Sequence, residues 1–138
     1  MYTIKETSKL LGIPASTLRY YDKIGLLPFV ERRESGYRVF TEKDIEMLRL
    51  IECLKRAGMT LSDIRQFAQW LREGDATLQQ RYQMFLERRR AVRQQLADLQ
   101  KTLDVLDYKC WFYETAIEAG TAAVHDHFRE RKNPLTGK

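Results

Sequence analysis

Thr17-Leu18-Arg19-Tyr20-Tyr21-Asp22-Lys23-Ile24-Gly25-Leu26-Leu27-Pro28 runs directly into Phe29-Val30-Glu31-Arg32-Arg33-Glu34-Ser35-Gly36-Tyr37-Arg38-Val39-Phe40, and these two segments decide the fold. The first reads as the end of a helix that spans 15–24 and stops at Gly25, a residue suited to the left-handed position after a helix. The second is aromatic and basic around Ser35-Gly36, the pattern of a hairpin turn over 29–40. Upstream, a helix over 3–11 ends at Gly12, so two or three residues separate the two helices. That spacing is a helix–turn–helix, in which the second helix enters a major groove while the first braces it.

Helix boundaries are legible along the rest of the chain. Thr3-Ile4-Lys5-Glu6, Thr41-Glu42-Lys43-Asp44, Thr60-Leu61-Ser62-Asp63 and Thr77-Leu78-Gln79-Gln80 all carry a capping-box pattern. Glycines 12, 25, 58, 74 and 120 stand where helices should stop. These marks predict helices over 3–11, 15–24, 41–57, 60–73 and 77–119, with the hairpin as the only strand signal. The tail after Thr121 is expected to add a short helix through Phe128, then to fray over 133–138. The fold class is therefore all-α with a small β-hairpin wing: a winged helix–turn–helix over 1–75, a coiled-coil helix over 76–120 and a tail over 121–138.

Ile4, Leu10, Leu11, Ile13 and Leu18 are placed to pack between the first two helices. Ser16, Thr17, Arg19, Tyr20, Asp22 and Lys23 are left to solvent on the second. Hydroxyls and arginine near a helix start suit base edges, while tyrosine hydroxyls and lysine suit phosphates. A hairpin carrying Arg32, Arg33 and Arg38 beside such a helix pair is a wing able to track the adjacent backbone. A generic helical hairpin with a solvated charged face is the plainer reading, and the basic wing argues against it.

At these residues the sequence resembles the MerR family of bacterial transcription regulators. The resemblance rests on 17–28 and 33–40 and continues through Glu42-Lys43-Asp44-Ile45 and Ala57-Gly58-Met59-Thr60-Leu61-Ser62-Asp63-Ile64. It implies DNA contacts from Ser16, Thr17, Arg19, Tyr20, Tyr21 and Lys23 on the recognition helix, with Tyr37 and Arg38 on the wing. Many family members place Ser or Thr where this chain has Pro14, so the recognition helix begins here with a proline-fixed turn. The resemblance further implies a homodimer on a palindromic promoter, bending and untwisting an over-long spacer so that RNA polymerase finds its two contact elements in register.

From Leu78 the apolar positions step by four and three: Leu78, Tyr82, Phe85, then Val92, Leu96, Leu99, Leu103, Leu106, Cys110, Tyr113 and Ile117, with Arg89 in the intervening slot. Spacing sustained over five heptads is a coiled-coil seam. A rod of roughly 60 Å cannot bury that stripe alone. The pattern calls for a partner helix without deciding its direction, and the resemblance implies an antiparallel pairing of two copies.

Composition limits the alternatives. The chain has 138 residues and a formal charge of +5, with seven basic against four acidic side chains in its first 40 residues. That balance permits a polyanionic partner. No segment has the length and apolarity of a membrane span or a signal peptide, so a cytoplasmic protein with no membrane association is expected. No phosphate-binding glycine loop, dinucleotide fingerprint or zinc-protease motif is present, and neither catalysis nor a cofactor is expected. A DNA-binding architectural protein or coiled-coil adaptor remains the alternative to a promoter-specific regulator.

The trigger rests on few residues. Metal sensing needs soft ligands at close spacing. Only Cys110 lies in the C-terminal half, and His125 and His127 fall in a polar tail where solvation is the simpler expectation, so no metal is expected. Cys110 reads as a small seam hydrophobe, and Cys110-Trp111-Phe112-Tyr113 alternatively lines an apolar ligand pocket. Cys53 lies in Leu50-Ile51-Glu52-Cys53-Leu54-Lys55-Arg56-Ala57-Gly58, a segment similar to the MerR subgroup that senses aldehydes and other electrophiles through one thiol. Lys55 and Arg56 would favour its thiolate and Glu52 and the surrounding leucines would oppose it, with a packed core cysteine as the other reading.

Overall fold

The computed structural model describes residues 1–32, 38–126 and 131–138. In chain order the elements are α1 (Ile4–Leu11), α2 (Ala15–Lys23), β1 (Glu31–Arg32), β2 (Arg38–Val39), α3 (Glu42–Arg56), α4 (Leu61–Glu73) and α5 (Leu78–Ala119). One-turn 3₁₀ helices occupy Asp75–Thr77 and Ala122–His125. β1 and β2 pair antiparallel with Arg32 opposite Arg38, and Tyr2 bridges to Phe40 beside them. The helices expected over 3–11, 15–24, 41–57, 60–73 and 77–119 are present, each within a residue of its expected ends. In the tail, where a short helix through Phe128 is expected, a 3₁₀ turn spans Ala122–His125, and Phe128 lies outside the described residues.

The caps explain that agreement. Thr3 with Glu6, and Thr41 with Asp44, form complete capping boxes, while Thr60 accepts from the Asp63 amide. Thr77 departs from the pattern. Its hydroxyl donates back to the carbonyls of Trp70 and Gly74, at 2.7 and 2.8 Å, so it closes the preceding turn instead of capping α5. At the end of α2, the Leu26 amide bonds the Tyr21 carbonyl and the Gly25 amide bonds that of Asp22. This arrangement needs a left-handed residue, which Gly25 supplies at φ +85°.

The chain divides into two compact units, Met1–Arg88 and Arg89–Lys138. The first has one core, with Leu18 and Tyr21 of α2, Leu26, Phe40, Leu48 and Ile51 of α3 and Ile64 of α4 all essentially without solvent exposure. Ile13 and Leu18 are buried as expected. Leu10 is not: it is half exposed, and Thr7 takes the inward slot of α1 with its hydroxyl on the Thr3 carbonyl at 2.8 Å. Phe85 also leaves its expected seam. It meets Phe67 edge-on at 5.2 Å and packs on the core of the first unit.

In the second unit, Leu96, Leu99, Leu103, Leu106, Tyr113 and Ile117 stand exposed on α5, as does Cys110, and Val92 is half-buried. The described residues of the tail, 121–126 and 131–138, are more ordered than expected. Thr121 caps the 3₁₀ turn, and that turn buries His125. The His125 ring stacks on Phe112 at 4.1 Å and packs against Trp111 at 4.9 Å, with Nε2 at 2.9 Å from the Phe112 carbonyl and 2.7 Å from the Thr115 hydroxyl. The expectation of a solvated His125 is thereby overturned, because the aromatic end of α5 supplies stacking partners that the tail's own polarity did not suggest. Residues 133–138, expected to fray, close a turn in which the Asn133 amide bonds the Lys138 carbonyl at 3.1 Å. No helix among the described residues is long and apolar enough to cross a membrane.

Candidate nucleic-acid interface

α2 is nine residues long and sits on the core through Leu18 and Tyr21. Pro14 stands at its N-cap without a side-chain hydrogen bond, and the Pro14 carbonyl accepts from the amides of Thr17 and Leu18. Ser16, Arg19, Tyr20 and Lys23 are exposed, and Thr17 is half-buried. Spacing of three and four places Ser16, Arg19, Tyr20 and Lys23 on one face. That face offers a hydroxyl, a planar guanidinium, a phenol and an ammonium, the donors that base edges and phosphates accept.

Tyr21 points the other way. Its ring is only 2 % exposed, so the direct DNA contact expected for it is replaced by a structural role. The hydroxyl donates to Glu52 Oε1 at 3.0 Å and accepts from Lys55 Nζ at 2.8 Å, tying the recognition helix to α3. Burial, foremost, raises the Tyr21 pKa above its ordinary value; Lys55 opposes that shift and Glu52 adds to it. The same hydrogen bond raises the pKa of Lys55.

Arg38, on β2, is half-buried, and its Nε donates to Asp22 Oδ2 at 2.6 Å. Asp22 is thereby paired with the wing strand, whereas its place on α2 alone predicts a solvated side chain. An acidic residue on a basic face was the available signal. Arg33 and Tyr37, and the Ser35-Gly36 turn, lie outside the described residues, as does His127.

Cys53 is exposed on α3, which removes the packed-core reading. Lys55, expected beside the thiol, is instead committed to the Tyr21 hydroxyl. Helical spacing brings Arg49 and Arg56 onto the Cys53 face, at four residues before and three after it. The proposed ligand face around Cys110-Trp111-Phe112-Tyr113 is filled in part by His125 of the chain's own tail. Among the described residues no three His, Cys, Asp or Glu side chains gather closely enough to hold a metal ion.

Known proteins share the sequence and fold of this chain. The model of the MerR HTH family regulatory protein matches residues 2–71, and that of the MerR DNA-binding region matches 45–108. An uncharacterised HTH-type transcriptional regulator of Haemophilus influenzae is 45% identical over 120 residues, covering 87% of this chain and 89% of that protein. The HTH-type transcriptional regulator AdhR of Bacillus subtilis is 35% identical over 86 residues, 62% of this chain and 61% of its own length. Among solved structures, HiNmlR, a MerR family regulator lacking the sensor domain and bound to promoter DNA, superposes with a TM-score of 0.78 at 44% identity, over 89% of this chain and 98% of that one. A MerR family transcriptional regulator from Listeria monocytogenes gives 0.81 at 32% identity, over 91% and 96%. The two family models together reach from residue 2 to 108, and the chain belongs to the MerR family of helix–turn–helix transcriptional regulators.

Proposed function

We propose that this chain binds a palindromic promoter sequence-specifically as a homodimer and switches transcription by RNA polymerase through distortion of the promoter spacer. The observation that carries this reading is α2 itself, with Leu18 and Tyr21 locked into the core while Ser16, Arg19, Tyr20 and Lys23 face outward. Promoter DNA bound to the similar regulator HiNmlR supports it. The exposed leucine stripe of α5 supports a second copy as partner, because water is a poor neighbour for a seam of that length. Arg19 reads bases and Arg38 grips a phosphate while Asp22 holds it in place.

The trigger in this reading is Cys53. An electrophile such as an aldehyde adds to the exposed thiol, between Arg49 and Arg56, within the last turn of the helix that also carries Glu52 and Lys55. Footprinting the full chain on duplexes selected from random sequence tests the DNA reading: protection of two half-sites related by a two-fold axis is expected. Equal binding to all duplexes would instead mark an architectural protein. Transcription from the selected promoter, with wild type and Cys53→Ser compared before and after aldehyde treatment, tests the trigger. An unchanged response in the serine variant would remove Cys53 from the mechanism.

A further inference from the structure

The first turns of α5 run back along α4: Arg81 Nη2 donates to the Gly74 carbonyl at 2.9 Å, Phe85 meets Phe67 edge-on, and Arg88 Nη1 donates to the Ala57 carbonyl at 3.2 Å. Between the two helices, within the first unit, opens a cavity of about 380 Å³ lined by Met59, Asp63, Trp70, Met84, Glu87 and Arg88, among others. The antiparallel order puts Asp63, Glu87 and Arg88 at one end and Trp70 at the other, with Met84 between them. Asp63 and Trp70 stand two turns apart on α4, about 10 Å along its axis. The volume falls among those of small-molecule sites, roughly 300–1,000 Å³.

Polar groups at the Asp63 end are incompletely matched. Arg88 Nε is buried and has no hydrogen-bond partner among the described residues, a state that native chains rarely leave unexplained. The Asp63 and Glu87 carboxylates likewise have no hydrogen-bond or ion-pair partner among the described residues. Two carboxylates against one guanidinium leave one negative charge over at that end. At the far end Trp70 is half-buried, and an indole face stacks flat rings. We propose that this cavity binds a small aromatic ammonium compound. Its single positive charge lies beside Asp63 and Glu87, an oxygen near that charge accepts from Arg88 Nε, and its ring passes Met84 to stack on Trp70. An anion would meet the two carboxylates, and a purely apolar molecule would leave the Arg88 donor unpaired. Neither the α2 face nor Cys53 takes part, so the proposal stands apart from the DNA-binding reading.

The test titrates the full chain, without DNA, with procaine, a cationic aryl ester of this size, and with 4-aminobenzoate, which keeps the ring and reverses the charge. Binding is read by calorimetry and by the indole resonances of the two tryptophans, Trp70 and Trp111, assigned with Trp70→Phe. Procaine is expected to saturate with a dissociation constant on the order of 0.1–1 mM, moving the Trp70 indole resonance, and 4-aminobenzoate to bind at least about tenfold more weakly. Glu87→Gln, at an exposed position, is expected to weaken procaine about three- to fivefold, and Asp63→Asn with Glu87→Gln about tenfold. No saturation up to about 10 mM would overturn the proposal. Equal binding of the two probes, or wild-type affinity in the double variant, would also overturn it. Shifts confined to Trp111 and the leucine stripe of α5 would assign the ligand to that stripe and overturn the α4–α5 site.

Discussion

Arg38 Nε lies 2.6 Å from Asp22 Oδ2, so the wing strand and the recognition helix are joined by an ion pair that is largely shielded from water. The pair places a carboxylate on the face proposed to meet phosphates. Removing that charge should therefore favour DNA in general while releasing Arg38 from its fixed position. Asp22→Asn is expected to bind random duplex about two- to threefold more tightly and the operator no better, narrowing the ratio between them. Competition binding at fixed salt measures that ratio, and a ratio equal to wild type would show that Asp22 positions nothing.

Arg19 and Arg38 should differ in kind. Arg38→Ala lowers affinity on every sequence and reduces the salt slope by about 1, whereas Arg19→Ala changes which base is preferred at one position of each half-site, at about 1–3 kcal/mol. Selection from random sequence with each variant separates the two. If the two variants behave alike on every duplex, Arg19 is not reading bases.

The Tyr21–Lys55–Glu52 contact predicts an alkaline limb. Both Tyr21 and Lys55 hold their protons more tightly folded than unfolded. The stability they contribute is complete below about pH 10, the ordinary tyrosine value, and is lost as the pH climbs through the raised folded values. Tyr21→Phe is expected to cost about 1 kcal/mol at neutral pH and to make the decline above pH 10 shallower. Urea unfolding across that range reads both effects, and an undiminished decline in the phenylalanine variant would place the titrating groups elsewhere.

Charge in the exposed stripe should separate two copies without unfolding one. Leu99→Glu with Leu103→Glu puts four carboxylates into the proposed seam of a pair, while neither leucine is buried in the single chain. The variant is expected to sediment as a monomer with unchanged helix content, and to lose about a hundredfold or more in operator affinity as two-headed binding is lost. A monomeric wild type would end the dimer reading.

His125 predicts a local effect. Its ring is held between Phe112 and Trp111, with Nε2 on the Phe112 carbonyl. His125→Ala is expected to release the tail, raising hydrogen exchange over residues 121–126 while amides of the first unit stay protected. Faster exchange in α2 or α3 would contradict so local a role.

Helix ends were legible in this sequence because caps are local. Thr3, Thr41 and Thr60 bond amides within three residues, and Gly25 needs only its own backbone freedom. The exposed face of α2 and the stripe of α5 were legible for a similar reason, since helical periodicity assigns faces without knowledge of what covers them. Periodicity could not tell which covered residues carry a polar tip. Tyr21 and Tyr20 look equivalent in the chain, yet one ring lies in the core and reaches Glu52 and Lys55, more than thirty residues away. Arg38 finding Asp22, Arg72 reaching Gly25 and His125 settling on Phe112 are the same kind of event. Sequence by itself determined the elements, their order and the family resemblance, through short-range hydrogen bonds and spacing. Only the tertiary structure decided which charged and aromatic side chains meet, because long side chains choose partners across elements whose mutual placement is set by the packed core.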